Sequence, residues 1–156
     1  KIGDKNIQIQ TRYYRAPEIL LGCGLHKKTD YWSIGCVLFE LLTGDILFDP
    51  EKDKLRTRDI HHMYLIEELI GNIPKNMLSN GNRIEKIYNE NGYLINVNKK
   101  IKRWDLKNVL ENNHDNLGLS ENTILKIIKF MESTLQINPD LIPNIKTMID
   151  SITKLN

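Results

Sequence analysis

One stretch, the 12 residues from Tyr31 to Leu42, constrains the fold more than any other part of the chain. Read as a helix, it carries Trp32, Ile34, Cys36, Val37, Leu38, Phe39, Leu41 and Leu42 and leaves almost no polar face. A helix that is apolar all round is buried all round, so the pattern predicts a central pillar with other elements packed about it. Thr29 or Asp30 can cap its start, and Gly44 can close its end. The run falls short of the ~20 apolar residues that a membrane-spanning helix needs.

The rest of the chain also reads as helix. Asp59 opens a second helix that carries Met63, Ile66 and Ile70 and stops at Gly71. Ser120 caps a third, with Ile124, Ile127, Ile128, Met131 and Leu135 on one stripe. Pro143 sits in the first turn of a fourth, whose Ile145, Met148, Ile149 and Ile152 face inward. A shorter piece covers Leu106 to Leu110. Between the second and third helices, residues 72–118 form an insert rich in Asn and Lys. It reads as short helices and turns laid over the surface of one domain that spans 1–156. No alternating strand pattern and no internal repeat stands out.

Composition narrows function by exclusion. A chain of 156 residues closes one core, and a formal charge of +2 gives no general attraction to nucleic acid or to an anionic membrane. Cys23 and Cys36 lie 13 positions apart, with neither Cys-x-x-Cys nor histidine at ligand spacing. They read as reduced thiols of an intracellular protein, in cytoplasm or nucleus, and not as a zinc site. His26, His61, His62 and His114 show no metal-ligand pattern. Position 1 is Lys, so the start of translation is expected upstream.

Chemistry shows in two motifs: Thr11-Arg12-Tyr13-Tyr14-Arg15-Ala16-Pro17-Glu18, then Asp30-Tyr31-Trp32-Ser33-Ile34-Gly35-Cys36. Ala-Pro-Glu ends the activation segment of protein kinases, and Asp-x-Trp-Ser-x-Gly at this distance opens the buried helix of their C-terminal lobe. The first motif resembles the kinase group that contains cyclin-dependent, MAP and SR-protein kinases. Downstream, Gly44-Asp45-Ile46-Leu47-Phe48-Asp49-Pro50, Arg58-Asp59, Glu68-Leu69-Ile70-Gly71 and Ile73-Pro74 are similar to SR-protein kinases in particular. The resemblance runs from about Ile9 to about Pro139. It implies a mainly α fold, part of a protein kinase C-terminal lobe, with helices packed around a buried central one.

The resemblance also implies roles. Thr11 matches the threonine whose hydroxyl braces the aspartate of the catalytic loop without being the base; read alone, it is a turn hydroxyl. Arg12, Tyr13, Tyr14 and Arg15 match the floor that receives the substrate residue after the phosphoacceptor, with Arg15 orienting the backbone there. Asp30 matches the helix-start aspartate that accepts N–H bonds from the catalytic loop, a position that the helix dipole favours anyway. Trp32 and Glu18 fall at structural positions of the motifs.

SR-protein kinases hold Arg-Ser substrates in an acidic groove built on the second helix and the insert. Glu68 and Trp104 match residues of that groove, whereas its aspartate aligns with His61 and its lysine with Asn113. Trp104 reads equally as an anchor that packs the insert. From Asp45 to Gly71 seven acids face four bases, a mild −3. Guanidinium–carboxylate pairing is therefore expected, but weakened. From Lys75 to Glu111 the balance is eight bases to four acids, +4, with a cluster at Lys99-Lys100-Ile101-Lys102-Arg103 that reads as a solvated basic surface.

Other positions depart from the family pattern. The sequence has no Gly-x-Gly-x-x-Gly loop, no Val-Ala-Ile-Lys lysine and no His-Arg-Asp-x-x-x-x-Asn loop. Lys1-Ile2-Gly3-Asp4 resembles the strand before the magnesium-binding Asp of Asp-Phe-Gly, which makes Asp4 a candidate metal ligand. Yet Lys5-Asn6 follow it, and only six residues separate it from Thr11. In kinases the glutamate of Ala-Pro-Glu pairs with a buried arginine whose place here falls at Ile142. Glu18 then lacks its partner, at a cost of ~3–5 kcal/mol unless it finds water, Arg12 or Arg15.

The expectation is a serine/threonine kinase that transfers the ATP γ-phosphate, with Mg²⁺, to Ser or Thr of proteins, Arg/Ser-rich segments among them. This chain supplies substrate binding and binds neither cofactor alone, and its partners are a protein substrate and a missing N-terminal half of the kinase. By itself it is expected to catalyse nothing. It is also expected to be poorly soluble, because elements that should cover the Trp32–Leu42 helix are absent. A different class of reading is a non-catalytic pseudokinase or truncated docking module. A third, a nucleic-acid-binding helical domain, rests only on the basic cluster of the insert.

Overall fold

The computed structural model describes residues 9–97, 101–112 and 118–153, the side chains of Glu111 and Asn112 excepted. Its α-helices are α1 (Pro17–Leu20), α2 (Thr29–Thr43), α3 (Arg58–Leu69), α4 (Lys75–Leu78), α5 (Leu106–Asn112), α6 (Glu121–Thr134) and α7 (Ile145–Thr153). Short 3₁₀ turns lie at Arg12–Tyr14, Ile84–Lys86 and Pro139–Leu141. Among the described residues there is no strand, only an isolated antiparallel bridge between Tyr88 and Leu94. No described helix is long and apolar enough to cross a membrane.

The long apolar run forms α2, and Gly44 ends it as expected, with a left-handed φ of +79° that few other residues adopt without strain. Gly35 sets how closely α6 approaches. A Cβ there would sit 2.6 Å from Thr134 Oγ1 and 2.8 Å from the Leu135 side chain, inside any tolerable contact. On this flank Trp32, Cys36 and Phe39 are buried. The opposite flank corrects the sequence expectation. Ile34, Val37 and Leu41 are 44%, 39% and 78% exposed. Their i, i+3, i+7 spacing puts them on one face, which no described element covers. The pillar is buried on one side only.

Helix caps follow the sequence in part: Lys28, not Thr29 or Asp30, stands at the N-cap of α2 and makes no side-chain cap bond. The Thr57 hydroxyl accepts the Ile60 N–H at 3.3 Å, so α3 starts one residue earlier than Asp59 suggests. Ser120 accepts the Thr123 N–H, and α6 buries Ile124, Ile128 and Met131. At α7 the cap is Asn144, whose Oδ1 accepts the Thr147 N–H at 2.9 Å, and Pro143 lies outside the helix. Of its expected inward stripe only Met148 is buried; Ile145 and Ile149 are 46% and 47% exposed, and the main neighbour of α7 is α6.

The insert does more than lie on the surface. Met77, Ile87, Tyr88 and Leu94 are buried in the common core. The Tyr88 hydroxyl donates to Glu67 Oε1 at 2.8 Å, an acid held above its usual range by burial. Cys23 and Cys36 are buried and form no disulfide, and burial pushes the Cys36 thiol up, as suits an inert core thiol.

Beside α2, Trp32 stacks on Phe48 at 5.6 Å between centroids, and Phe48 packs on His62 at 5.9 Å. Trp32 Nε1 and both ring nitrogens of His62 are buried without a hydrogen-bond partner. Such groups are costly, each on the order of 1–3 kcal/mol. Burial, together with the nearby Arg12 and Arg15, pushes His62 down to about 3, so the ring is neutral.

Glu18 resolves differently from expectation. Ile142, at the place of the family arginine, is buried, and its carbonyl accepts a hydrogen bond from Lys28 Nζ. Neither Arg12 nor Arg15 turns to Glu18. Its partner is Thr29, whose hydroxyl donates to Glu18 Oε1 at 2.7 Å. A neutral hydroxyl stabilises a buried carboxylate less than a cation does, and burial raises the Glu18 acid above its ordinary value.

Two stability predictions follow with opposite signs. The folded-state value of His62 lies below the unfolded one, so stability is intact above about pH 6.5 and lost as pH falls toward about 3. That loss is on the order of 4 kcal/mol. His62→Leu should flatten this acid slope in denaturant melts at pH 7 and 4.5; an unchanged slope would place the acid sensitivity elsewhere. For Glu18 the folded-state value lies above the unfolded one, so its contribution is favourable in acid and is lost as pH rises. Glu18→Gln keeps the acceptor for Thr29 and should melt higher than the parent at pH 7 but not at pH 4.

Candidate functional site

The segment from Ile9 to Arg15 forms a floor beside the N-terminal turn of α2. Arg15 is buried at 9% exposure, and its guanidinium donates to two successive carbonyls: Nε to Ile9 O and Nη2 to Gln10 O, both at 3.1 Å. Gln10 takes φ = +68°, a left-handed backbone that costs a residue with a side chain roughly 1–2 kcal/mol. Arg15 offsets that strain by satisfying the carbonyls that the unusual backbone turns toward it.

The Gln10 side chain secures the same turn from the other side. Its Nε2 donates to Ser33 Oγ at 2.7 Å and to Thr29 O at 3.3 Å, while its Oε1 accepts the Ala16 N–H at 3.0 Å. Ser33 Oγ in turn donates to Tyr14 O at 2.9 Å. The floor is thus tied to the first two turns of α2 through side-chain amides and hydroxyls, all neutral. Sequence reading missed Gln10 as a site residue, since nothing in its type announces a left-handed backbone. Ser33 lay within a motif but carried no assigned role.

The neighbouring side chains each have a fixed partner. Arg12 Nη1 pairs with Asp59 Oδ1 at 2.6 Å, which links the floor to the first turn of α3. The Tyr14 hydroxyl donates to Glu40 Oε2 at 2.6 Å, and the Glu40 carboxylate holds that phenol above its usual range. Tyr13 meets the Tyr14 ring edge-on at 6.5 Å. Thr11 is exposed and makes no capping bond to the turn that follows it. Asp30 is exposed on the first turn of α2. Glu40 is a further residue that the motifs did not single out, and Asp59 entered only as a helix start and through the Arg58-Asp59 match.

Glu68 and Trp104 are brought together. The Trp104 N–H donates to the Glu68 carbonyl at 3.2 Å, and the Tyr64 hydroxyl donates to Glu68 Oε1 at 3.2 Å. Both side chains are half-buried. Trp104 also packs against the core, which fits its reading as an anchor. Next to them the Arg56 guanidinium lies 5.9 Å above the Tyr64 ring and pairs with Asp53 at 2.7 Å. His61, at the aligned position of the family's groove aspartate, accepts the Glu51 N–H on Nδ1. Asn113 and Asp4 lie outside the described residues.

Among the described residues no group of three or more His, Cys, Asp or Glu side chains is arranged to hold a metal. The sequence contains none of the glycine-rich, lysine or catalytic-loop motifs that cradle phosphates. What the geometry offers is a rigid backbone surface with a buried arginine beneath it.

Comparison with known proteins shows the family. The model of the protein kinase domain family matches residues 3–151. The chain is 45% identical over 103 residues to protein kinase dsk1 of Schizosaccharomyces pombe, covering 66% of this chain and 19% of the relative. It is 39% identical over 131 residues to serine/threonine-protein kinase SKY1 of Saccharomyces cerevisiae, covering 84% and 17%. It is 40% identical over 102 residues to SRSF protein kinase 3 of Sus scrofa, covering 65% and 18%. The chain thus spans less than a fifth of the length of these three relatives. With a helical architecture and this match over nearly its whole length, the chain belongs to the protein kinase domain family and resembles the SR-protein kinases.

Proposed function

We propose that the chain is the substrate-binding part of a serine/threonine protein kinase, one that transfers the γ-phosphate of ATP to Ser or Thr of proteins carrying Arg/Ser-rich segments. The observation that carries this reading is the buried Arg15 under the left-handed Gln10, a backbone surface fixed before any substrate arrives. Preorganisation of this kind lowers the ordering cost of seating a peptide. In the proposal this surface receives the residue that follows the phosphoacceptor. The exposed hydroxyl of Thr11 braces the aspartate of a catalytic loop, and Asp30 accepts N–H bonds from the same loop.

Recognition of basic segments is assigned to Glu68, Trp104 and the acidic surroundings of α3. A carboxylate takes a guanidinium in paired hydrogen bonds, and an indole face accepts the planar cation. Glu68 is held in place by Tyr64, which pre-sets the acceptor. The replacement of an aspartate by His61 removes one charge from this surface. Docking through it is therefore weaker than a fully acidic groove would give. ATP and Mg²⁺ belong to the proposal at the level of the whole kinase domain and are not held by this chain alone.

A second reading, a docking module without catalysis, is favoured by one observation: Glu18 lacks a cationic partner and relies on Thr29. In that reading the surface still binds basic peptides.

Phosphate incorporation by the complete gene product on an Arg-Ser peptide tests the first reading. Incorporation is expected; none, with a His-Arg-Asp loop intact, would overturn it, and peptide binding without transfer would establish the docking module. In an active kinase, Arg15→Gln should lower kcat/KM by about 10–100-fold, or ~1.4–2.7 kcal/mol, and relax preference at the residue after the phosphoacceptor. Unchanged kcat/KM and preference would remove Arg15 from the floor.

A further inference from the structure

We propose that the cavity enclosed by the corner after α1, the α4 turn and the 138–140 turn is a binding site for the guanidinium group of an arginine side chain presented by a partner. The cavity has a volume of about 130 Å³. That is several times the roughly 30 Å³ that one water takes in the liquid, and it suits a planar cation with part of its stem. None of its lining residues belongs to the Arg15 floor, and it does not depend on phosphoryl transfer.

Charge decides the class of ligand. Glu18, at 3% exposure, and Asp140 both line the cavity, and no Lys or Arg does. The remaining titratable ring in the wall is His26. Its Nδ1 accepts the Lys28 N–H at 3.2 Å, which leaves Nε2 as the N–H that faces Asp140 Oδ1 at 3.3 Å. Burial and the adjacent lysines hold His26 below its ordinary value, so it brings no compensating charge at neutral pH. Lys27 and Lys28 follow His26 in sequence and Lys75 precedes Asn76, but none of the three lines the cavity, and the Lys28 ammonium is turned to the Ile142 carbonyl. The lining itself thus carries two carboxylates and no ammonium or guanidinium.

Two arguments select guanidinium over other cations. A metal ion needs a convergent set of ligands, and no such group occurs among the described residues. An ammonium is compact and strongly hydrated, so moving it beside a desolvated carboxylate is costly, whereas guanidinium is weakly hydrated and carries its donors in a flat fork. The acceptors here come from separate segments, Glu18 on one side and Asn138 and Asp140 on another, which one fork can bridge. Met77 and Pro139 supply apolar wall for the methylene stem. A bound guanidinium would also relieve the desolvation that raises the Glu18 acid.

The test uses the whole chain with methyl-¹³C methionine and titrates N-acetyl-arginine-N-methylamide against its lysine counterpart at pH 7. Saturable shifts of the Met77 methyl are expected with the arginine compound, while Met63 and Met131 stay in place. Glu18→Gln should weaken the affinity at least tenfold, and Asp140→Asn, at an exposed position, by about threefold. Equal shifts with the lysine compound would make the site a general cation pocket and overturn the guanidinium assignment. Unchanged affinity in Glu18→Gln, or no saturable shift at Met77 in the parent, would overturn the site itself.

Discussion

Much of this structure hangs from one helical turn, the start of α2. Thr29 accepts the His26 N–H and gives its own proton to Glu18; its carbonyl takes the Gln10 amide. One turn on, Ser33 receives Gln10 and holds Tyr14. Each neutral hydrogen bond contributes only about 0.5–1.5 kcal/mol net, but orphaning a buried partner costs more than making the bond gains. The set therefore behaves as a unit. Losing Gln10 would release the Ala16 N–H, the Ser33 hydroxyl and the strained backbone over Arg15 together. The segment from Ile9 to Arg15 is held in one conformation for this reason.

Arg12 and Tyr14 extend the same logic outward. Their partners, Asp59 on α3 and Glu40 on α2, come from two different helices. The floor is thus fastened to both walls that flank it. Each pair is partly solvated, so the Coulombic gain is modest and the geometric constraint is the larger effect. Arg15 differs from Arg12 because it is buried and bonded to backbone alone. Its role is to fix φ and ψ at Gln10, which no surface ion pair could do.

The sequence made the helical frame legible because the rules involved are local. Gly44 and Ser120 each act within a few residues, and the structure places them as read. Contacts that join distant segments were not legible. Glu18 finds Thr29, 11 residues away, because the α1–α2 corner folds back on itself. No periodicity announces that fold. The exposed Ile34–Val37–Leu41 face shows the same limit: apolar composition says that a surface should be covered, not which flank has a neighbour to cover it. Ile145 and Ile149 repeat the lesson on α7, where one neighbouring helix can bury only one stripe.

Two buried ionisable groups then set the electrostatic limits of the fold. His62 is kept neutral within an aromatic stack, and Glu18 is kept near a hydroxyl instead of a cation. Acid charges the first in the unfolded chain before the folded one, and base charges the second likewise. His62 therefore favours the unfolded state increasingly as pH falls below about 6.5, and Glu18 increasingly as pH rises above the ordinary carboxylate range. Apolar replacements of similar volume would remove these penalties, so stability alone does not explain either residue. For Glu18 the cavity at its back supplies a reason that packing does not. A carboxylate that is costly when alone becomes favourable once a cation sits against it, and the same burial that destabilises the empty site strengthens the attraction in the filled one.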